Sequence, residues 1–223
     1  MSRSTFDQAA TSATATRMLD VAERLAQTHG FNGFSYADIA TELGVTKASL
    51  HYHFATKAEL GRALIVRYAE RFSAALDTLD AVPDLLARLR RYVQLYENVL
   101  IRDRMCLCGM LAAEYSTLPS AMQQELRRFF DANESWLACS LETARARGGL
   151  SFDGSPTEAA RALTAGLEGA MLLARAYEEP TRFGATALRL LAGLGLTQGA
   201  RGGSARRRRV APKRAVRSAS SAE

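Results

Sequence analysis

Between Ser35 and Phe54 the chain spells two short helices around one glycine, and this string constrains the fold more than any other. Ser35 with Asp38 three residues on is a capping-box start, Ile39, Ala40 and Leu43 form an apolar stripe, and Gly44 supplies the left-handed residue that ends the helix. Val45 is expected to pack inward. Thr46 then caps a second helix whose first turn, Lys47, Ala48 and Ser49, is polar and small. Leu50 and Phe54, at i and i+4, face back to the core. The opposite face is left free, and a two-helix unit of this kind places that face against base edges in a DNA groove.

The remainder reads as helix throughout. A first helix is expected from about Thr14 to His29, with Met18, Val21, Ala22, Leu25 and Ala26 on one face and Gly30 closing it. A longer one, Lys57 to about Leu79, carries Leu60, Leu64, Tyr68, Phe72 and Leu76 and leads out of the head; Pro83 ends that segment. Further helices are expected over 84–102, 109–116, 119–147, 156–178 and 181–196, with Pro119 and Pro156 where a first-turn proline is tolerated. No alternating strand pattern appears. The expectation is an all-α fold of about nine helices in three parts: a helix-turn-helix head over 13–57, a larger helical body over 58–196, to which the family resemblance given below assigns ligand binding and dimerisation, and a tail over 197–223. The tail is rich in Gly, Ala, Ser and Arg and has too little apolar surface to order itself.

Charge sharpens this division. The net charge of +6 comes from the tail, which holds eight of the 29 basic residues and one of the 23 acids. Residues 1 to 60 are nearly neutral, so a DNA-binding head must work by placing a few donors and not by bulk charge. Arg206 to Arg209 with Lys213, Arg214 and Arg217 could hold phosphates without reading sequence, or could stay solvated.

No apolar stretch approaches the roughly 18 residues needed to cross a bilayer, and polar residues follow Met1, so the expected location is the cytoplasm, with no membrane partner. Three cysteines fit reduced thiols. A nucleophile elbow, a phosphate-binding glycine loop and a dinucleotide fingerprint are all missing, and the histidines, His29, His51 and His53, all lie in the head. Neither catalysis nor a cofactor is expected.

An amino-terminal three-helix head, a linker helix and a larger helical body resemble the tetracycline-repressor family of bacterial transcriptional regulators. The resemblance is strongest over Ala13 to Leu64. Leu50-His51-Tyr52-His53-Phe54-Ala55-Thr56-Lys57 is similar to the family's pattern at the end of the recognition helix. It implies a homodimer that binds a palindromic operator on double-stranded DNA and is released when a small molecule enters the body. It also implies DNA contacts from Ser35, Tyr36, Thr46, Lys47, Ala48, Ser49, His51, Tyr52, His53 and Lys57. Lys47 and Ala48 fall where bases are read, Tyr52 and His53 where the backbone is touched, and Ser35 and Lys57 at helix starts that face phosphate. His51 departs from the family's usual tyrosine. An imidazole gains a second N–H donor on the acid side of neutrality, so operator binding could depend on pH.

In the body, Tyr92, Tyr96, Cys108, Met110, Phe130, Trp136, Glu168 and Met171 are candidates for an effector pocket, although the same residue types also build any helical core. Cys106 and Cys108 are a poor metal pair, since one residue separates them and the body has no histidine. They are candidate thiol sensors if Arg102 and Arg104 lower their pKa. Glu168, in an otherwise small and apolar helix, is expected at the solvent surface unless a ligand partners it. That helix and the one after it carry small residues and leucines suited to a four-helix dimer interface. The rival reading is an architectural DNA-binding protein driven by the tail, with a body that serves only dimerisation.

Overall fold

The computed structural model describes residues 3–195, and the Arg-rich tail expected over 197–223 lies outside the described residues. Nine α-helices and one short 3-10 turn make up the described residues, with no strand among them: α1 Arg3–His29, α2 Tyr36–Leu43, α3 Lys47–His53, α4 Lys57–Asp80, α5 Leu85–Leu100, α6 Leu107–Ala113, the 3-10 turn Tyr115–Thr117, α7 Ser120–Ala146, α8 Pro156–Ala176 and α9 Thr181–Ala192. None of these helices is long and apolar enough to cross a membrane.

The helix starts follow local chemistry. Ser35 and Asp38 form the capping box of α2, and Ser155 with Glu158 forms a second one on α8, where Pro156 occupies the first turn. Gly44 adopts φ 66° and its N–H closes the last turn of α2 onto the Ala40 and Thr41 carbonyls. Thr46 accepts the Ser49 N–H at 3.2 Å to start α3. Helix α6 spans Leu107–Ala113 in place of the expected 109–116, with the 3-10 turn after it, and two boundaries differ more widely from expectation. Helix α1 begins at Arg3 and not near Thr14, because no glycine or proline before Thr14 interrupts propagation. Helix α9 ends at Ala192, short of Leu196, where Gly193 follows.

One hydrophobic core runs through the molecule. Met18 and Ala22 of α1, Ile39 of α2, Leu50 of α3 and Leu60 and Leu64 of α4 have no exposed surface, and the same cluster continues into Leu89, Leu107, Leu137 and Leu167. Helix α4 therefore belongs to head and body alike. Glu23 of α1 is buried between two cations, pairing with Arg67 at 2.9 Å and with Arg71, and so ties α1 to α4. In the body α7 lies between α4 and α8, and α9 covers α8.

Candidate DNA-reading face and effector cavity

Leu50 anchors α3 from within, and this fixes what the helix shows to solvent. Lys47, Ala48, His51 and Tyr52 share one outward face, one turn separating each member of the first pair from its counterpart in the second. Tyr52 is 78% exposed. Ser49 and His53 flank this face half-buried, and Thr46 stands exposed at the helix start. The His51 Nδ1 lies 3.0 Å from the Ala55 carbonyl, which calls for a proton on Nδ1. In the neutral ring Nε2 is then an acceptor, and only the cation offers an Nε2–H donor to a phosphate. Ser35 is exposed, but its N–H and hydroxyl both donate to Asp38, at 2.7 and 2.8 Å.

Two residues assigned to DNA by the resemblance turn inward. Tyr36 is buried, its hydroxyl donates to the Phe54 carbonyl at 2.9 Å, and its ring packs against His51. Burial pushes its pKa up to about 12. The Lys57 ammonium donates to the Phe31 carbonyl at 2.6 Å and to the Phe34 carbonyl, and it sits over both of those rings. Desolvation there lowers its pKa. Both residues brace the head, Tyr36 by holding the end of α3 and Lys57 by holding the carbonyls and rings of the loop after α1.

The end of α1 is also where the body holds the head. Arg175 of α8 donates to the Thr28 and Gln27 carbonyls at 2.7 and 3.3 Å, and the Met105 N–H donates to the Gln27 carbonyl at 3.2 Å. The Glu114 carboxylate accepts the Phe31 N–H at 2.7 Å and the Asn32 N–H at 3.3 Å. Donors thus meet the carbonyl end of a helix and an acid meets the loop amides beyond it.

Between α4 and α7 lies a cavity of about 330 Å³, with Ile65, Val66, Phe72 and Leu76 on one wall, Phe129, Ala132 and Trp136 on the other, and Asn133 at its back. Of the sequence candidates, Trp136 lines it directly. Its ring stacks on Tyr92 with centroids 5.6 Å apart and its Nε1–H donates to Asp80 at 3.1 Å. Tyr92 and Tyr96 lie behind the cavity: the Tyr92 hydroxyl donates to the Asn133 Oδ1 at 3.0 Å, and the Asn133 Nδ2 donates to the Tyr96 hydroxyl at 3.0 Å. Cys108 and Met171 are fully buried away from this lining, and Met110 and Phe130 pack against the core, so Phe129 takes the place expected of Phe130. The contribution of α4 was missed because Phe72 and Leu76 also complete the helix's packing stripe.

Glu168, expected at the solvent surface, also turns inward. Its carboxylate lies over Gly109, where a side chain on residue 109 would collide with it, and the Cys106 thiol donates to it. Its Oε1 is buried with no hydrogen-bond partner among the described residues. Burial, opposed by the Cys106 bond, raises its pKa to about 7. Around it stand Tyr68, Tyr96, Cys106 and Cys108, all buried, with pKa values pushed well above their ordinary ranges by burial first. For Cys106 and Cys108 this is the reverse of the lowered pKa on which a thiol sensor depends. Arg102 and Arg104 line a groove with Gln27 and Arg71.

A helix-turn-helix head with an outward recognition face, carried on an all-helical body, defines a DNA-binding transcriptional regulator. Residues 18–64 match the family described as bacterial regulatory proteins, tetR family, and residues 81–189 match the tetracyclin repressor-like C-terminal domain. The chain belongs to the TetR family. It is 33% identical to the transcriptional regulator AcuR of Cereibacter sphaeroides over 156 residues, 68% of this chain and 71% of that one. A TetR-family regulator from Agrobacterium tumefaciens superposes with a TM-score of 0.80 at 32% identity, covering 83% of this chain and 99% of that one. A transcriptional regulator from Saccharomonospora viridis, solved in complex with choline, gives a TM-score of 0.70 at 25% identity over 81% of this chain and 95% of that one.

Proposed function

We propose that the chain is a cytoplasmic, ligand-responsive repressor that binds a palindromic operator as a homodimer and is released when a small molecule enters the cavity between α4 and α7. The observation that carries the reading is the outward face of α3. Lys47 is the residue suited to a guanine edge, a contact worth roughly 1–3 kcal/mol of discrimination. Thr46, Ala48, Ser49, His51, Tyr52, His53 and Ser35 complete the contact set; Tyr36 and Lys57 act behind it.

Support for a dimer comes from α8 and α9, which expose Leu172 (49%), Leu173 (58%) and Leu188 (60%). Apolar surface of that kind on neighbouring helices is what a self-complementary interface buries. Support for a sensing body comes from the cavity, whose volume falls within the roughly 300–1,000 Å³ of ligand pockets. The choline held by the Saccharomonospora regulator favours a small organic effector here as well.

Selection of sites from random duplex DNA, with the full chain and with a chain lacking residues 198–223, tests the reading. An inverted repeat enriched by both forms is the expected result. Binding without any enriched motif, lost when the tail is removed, would replace the repressor with the tail-driven architectural protein.

A further inference from the structure

We propose that the effector is an organic cation, an ammonium group on an apolar or aromatic body, received by the cavity between α4 and α7. This deepens the preceding proposal and rests on that cavity being the effector site.

The cavity wall is aromatic on both sides, with Phe72 from α4 and Phe129 and Trp136 from α7. Ring faces attract cations, and most strongly where water is excluded. The formal charges around this wall are unbalanced toward the negative. Glu70 and Asp77 line the mouth from α4, two helical turns apart, and neither has a cationic partner among the described residues. Arg128, the one cation in the lining, is bound to Glu125 at 3.1 Å, and Glu125 also takes Arg62 at 2.9 Å.

A further carboxylate stands behind the wall. Phe72 packs on Tyr96 with centroids 6.1 Å apart and Phe129 packs on Tyr68 at 5.7 Å, and those two tyrosines lie within electrostatic reach of Glu168. The groups that face Glu168 are Tyr68 from α4, Tyr92 and Tyr96 from α5, and Cys106 and Cys108 from α6; none brings a positive charge. Its unpartnered Oε1 is thus an uncompensated acceptor one aromatic layer from the cavity. A bound cation would lie against rings from both helices, beside the two carboxylates at the mouth, and would favour the ionised form of Glu168 behind the wall. An anion of the same shape would be repelled by the two carboxylates at the mouth and would oppose ionisation of Glu168, and a neutral body would gain nothing from them.

The chain's single tryptophan lines the cavity, so its fluorescence reports occupancy in the full-length protein. The probes are benzyltrimethylammonium, its neutral isostere neopentylbenzene, and phenylacetate, with calorimetry alongside fluorescence. The cation is expected to bind roughly tenfold or more tighter than the isostere, with phenylacetate weakest, since a partly desolvated cation–ring and cation–carboxylate set is worth at least a factor of that size. A Glu70→Gln, Asp77→Asn double variant and, separately, Glu168→Gln should each narrow the cation-to-isostere ratio while leaving the isostere's own affinity unchanged. An isostere that binds as tightly as the cation, or a ratio unmoved by both variants, overturns the assignment of ligand class. Ala132→Phe, a change at an exposed lining position that fills the cavity, separates the two proposals. If probes still bind that variant normally, or if none binds the wild type, the cavity is not the effector site and the cation assignment falls with it.

Discussion

Two lysines ten residues apart illustrate how environment assigns a role. Lys47 projects from the outward face of α3, whereas Lys57 is folded onto the Phe31 and Phe34 carbonyls. Lys47→Ala is expected to weaken operator binding by roughly 1–3 kcal/mol, read by fluorescence anisotropy, with the melting temperature unmoved. Lys57→Met should do the reverse at first order, leaving two buried-side carbonyls without a donor and lowering thermal stability by roughly 1–3 kcal/mol. If Lys57→Met melted like the wild type but lost DNA, the ammonium would be a phosphate ligand after all. Glu168 gives a pH dependence at the same scale. Folding holds its proton up to about pH 7, whereas an unperturbed side chain releases it near 4.5. The native chain thus carries the extra proton between those values, and stability falls as pH rises through that window, by on the order of 3 kcal/mol in all. Glu168→Gln should match the wild type near pH 4.5 and melt higher above pH 7. Parallel melting curves for the two proteins across that range would show that the carboxylate is solvated.

Among the elements, the turn after α1 is a close joint. Gly30 takes φ 83°, and the Glu114 carboxylate occupies the space a side chain there would need. Gly44 is equally left-handed but opens onto solvent. Gly44→Ala is expected to cost about 1 kcal/mol from conformation alone, and Gly30→Ala measurably more, because Glu114 must also give way. Equal losses in chemical denaturation would mean that Glu114 is free to move. The same contrast shows what a sequence can disclose. Caps such as Ser35 with Asp38 and Thr46 are local chemistry, as is the first-turn Pro156, and they located α2, α3 and the start of α8 to within a residue or two. The start of α1 was out of reach because no glycine or proline between Arg3 and Thr14 marks a boundary. The inward turns of Tyr36, Lys57 and Glu168 were out of reach for another reason. Their partners, Phe54, Phe31 with Phe34, and Cys106 over Gly109, meet them only once the chain has folded back. The cavity divided in the same way: Trp136 could be named from composition, but the α4 wall could not.

At the scale of the whole molecule, the proposed dimer supplies the spacing between two recognition faces. Leu173→Glu with Leu188→Glu, both at exposed positions, should leave the fold intact and yield a monomer in sedimentation, with operator affinity reduced by at least tenfold. A double variant that sediments as the wild type does would move the interface elsewhere. Helix α8 then faces three ways within eight residues: Glu168 into the core, Leu172 and Leu173 outward, and Arg175 onto the last carbonyls of α1. Such a rod is hard to alter piecemeal, since a change chosen for one neighbour is felt by the other two. The walls contributed by α4 and α7 carry no such triple duty. Descendants of this chain that acquire new chemical tastes should therefore diverge at Val66, Phe72, Ala132 and Trp136 while α8 drifts slowly, so that inheritance separates what is sensed from how the message is delivered.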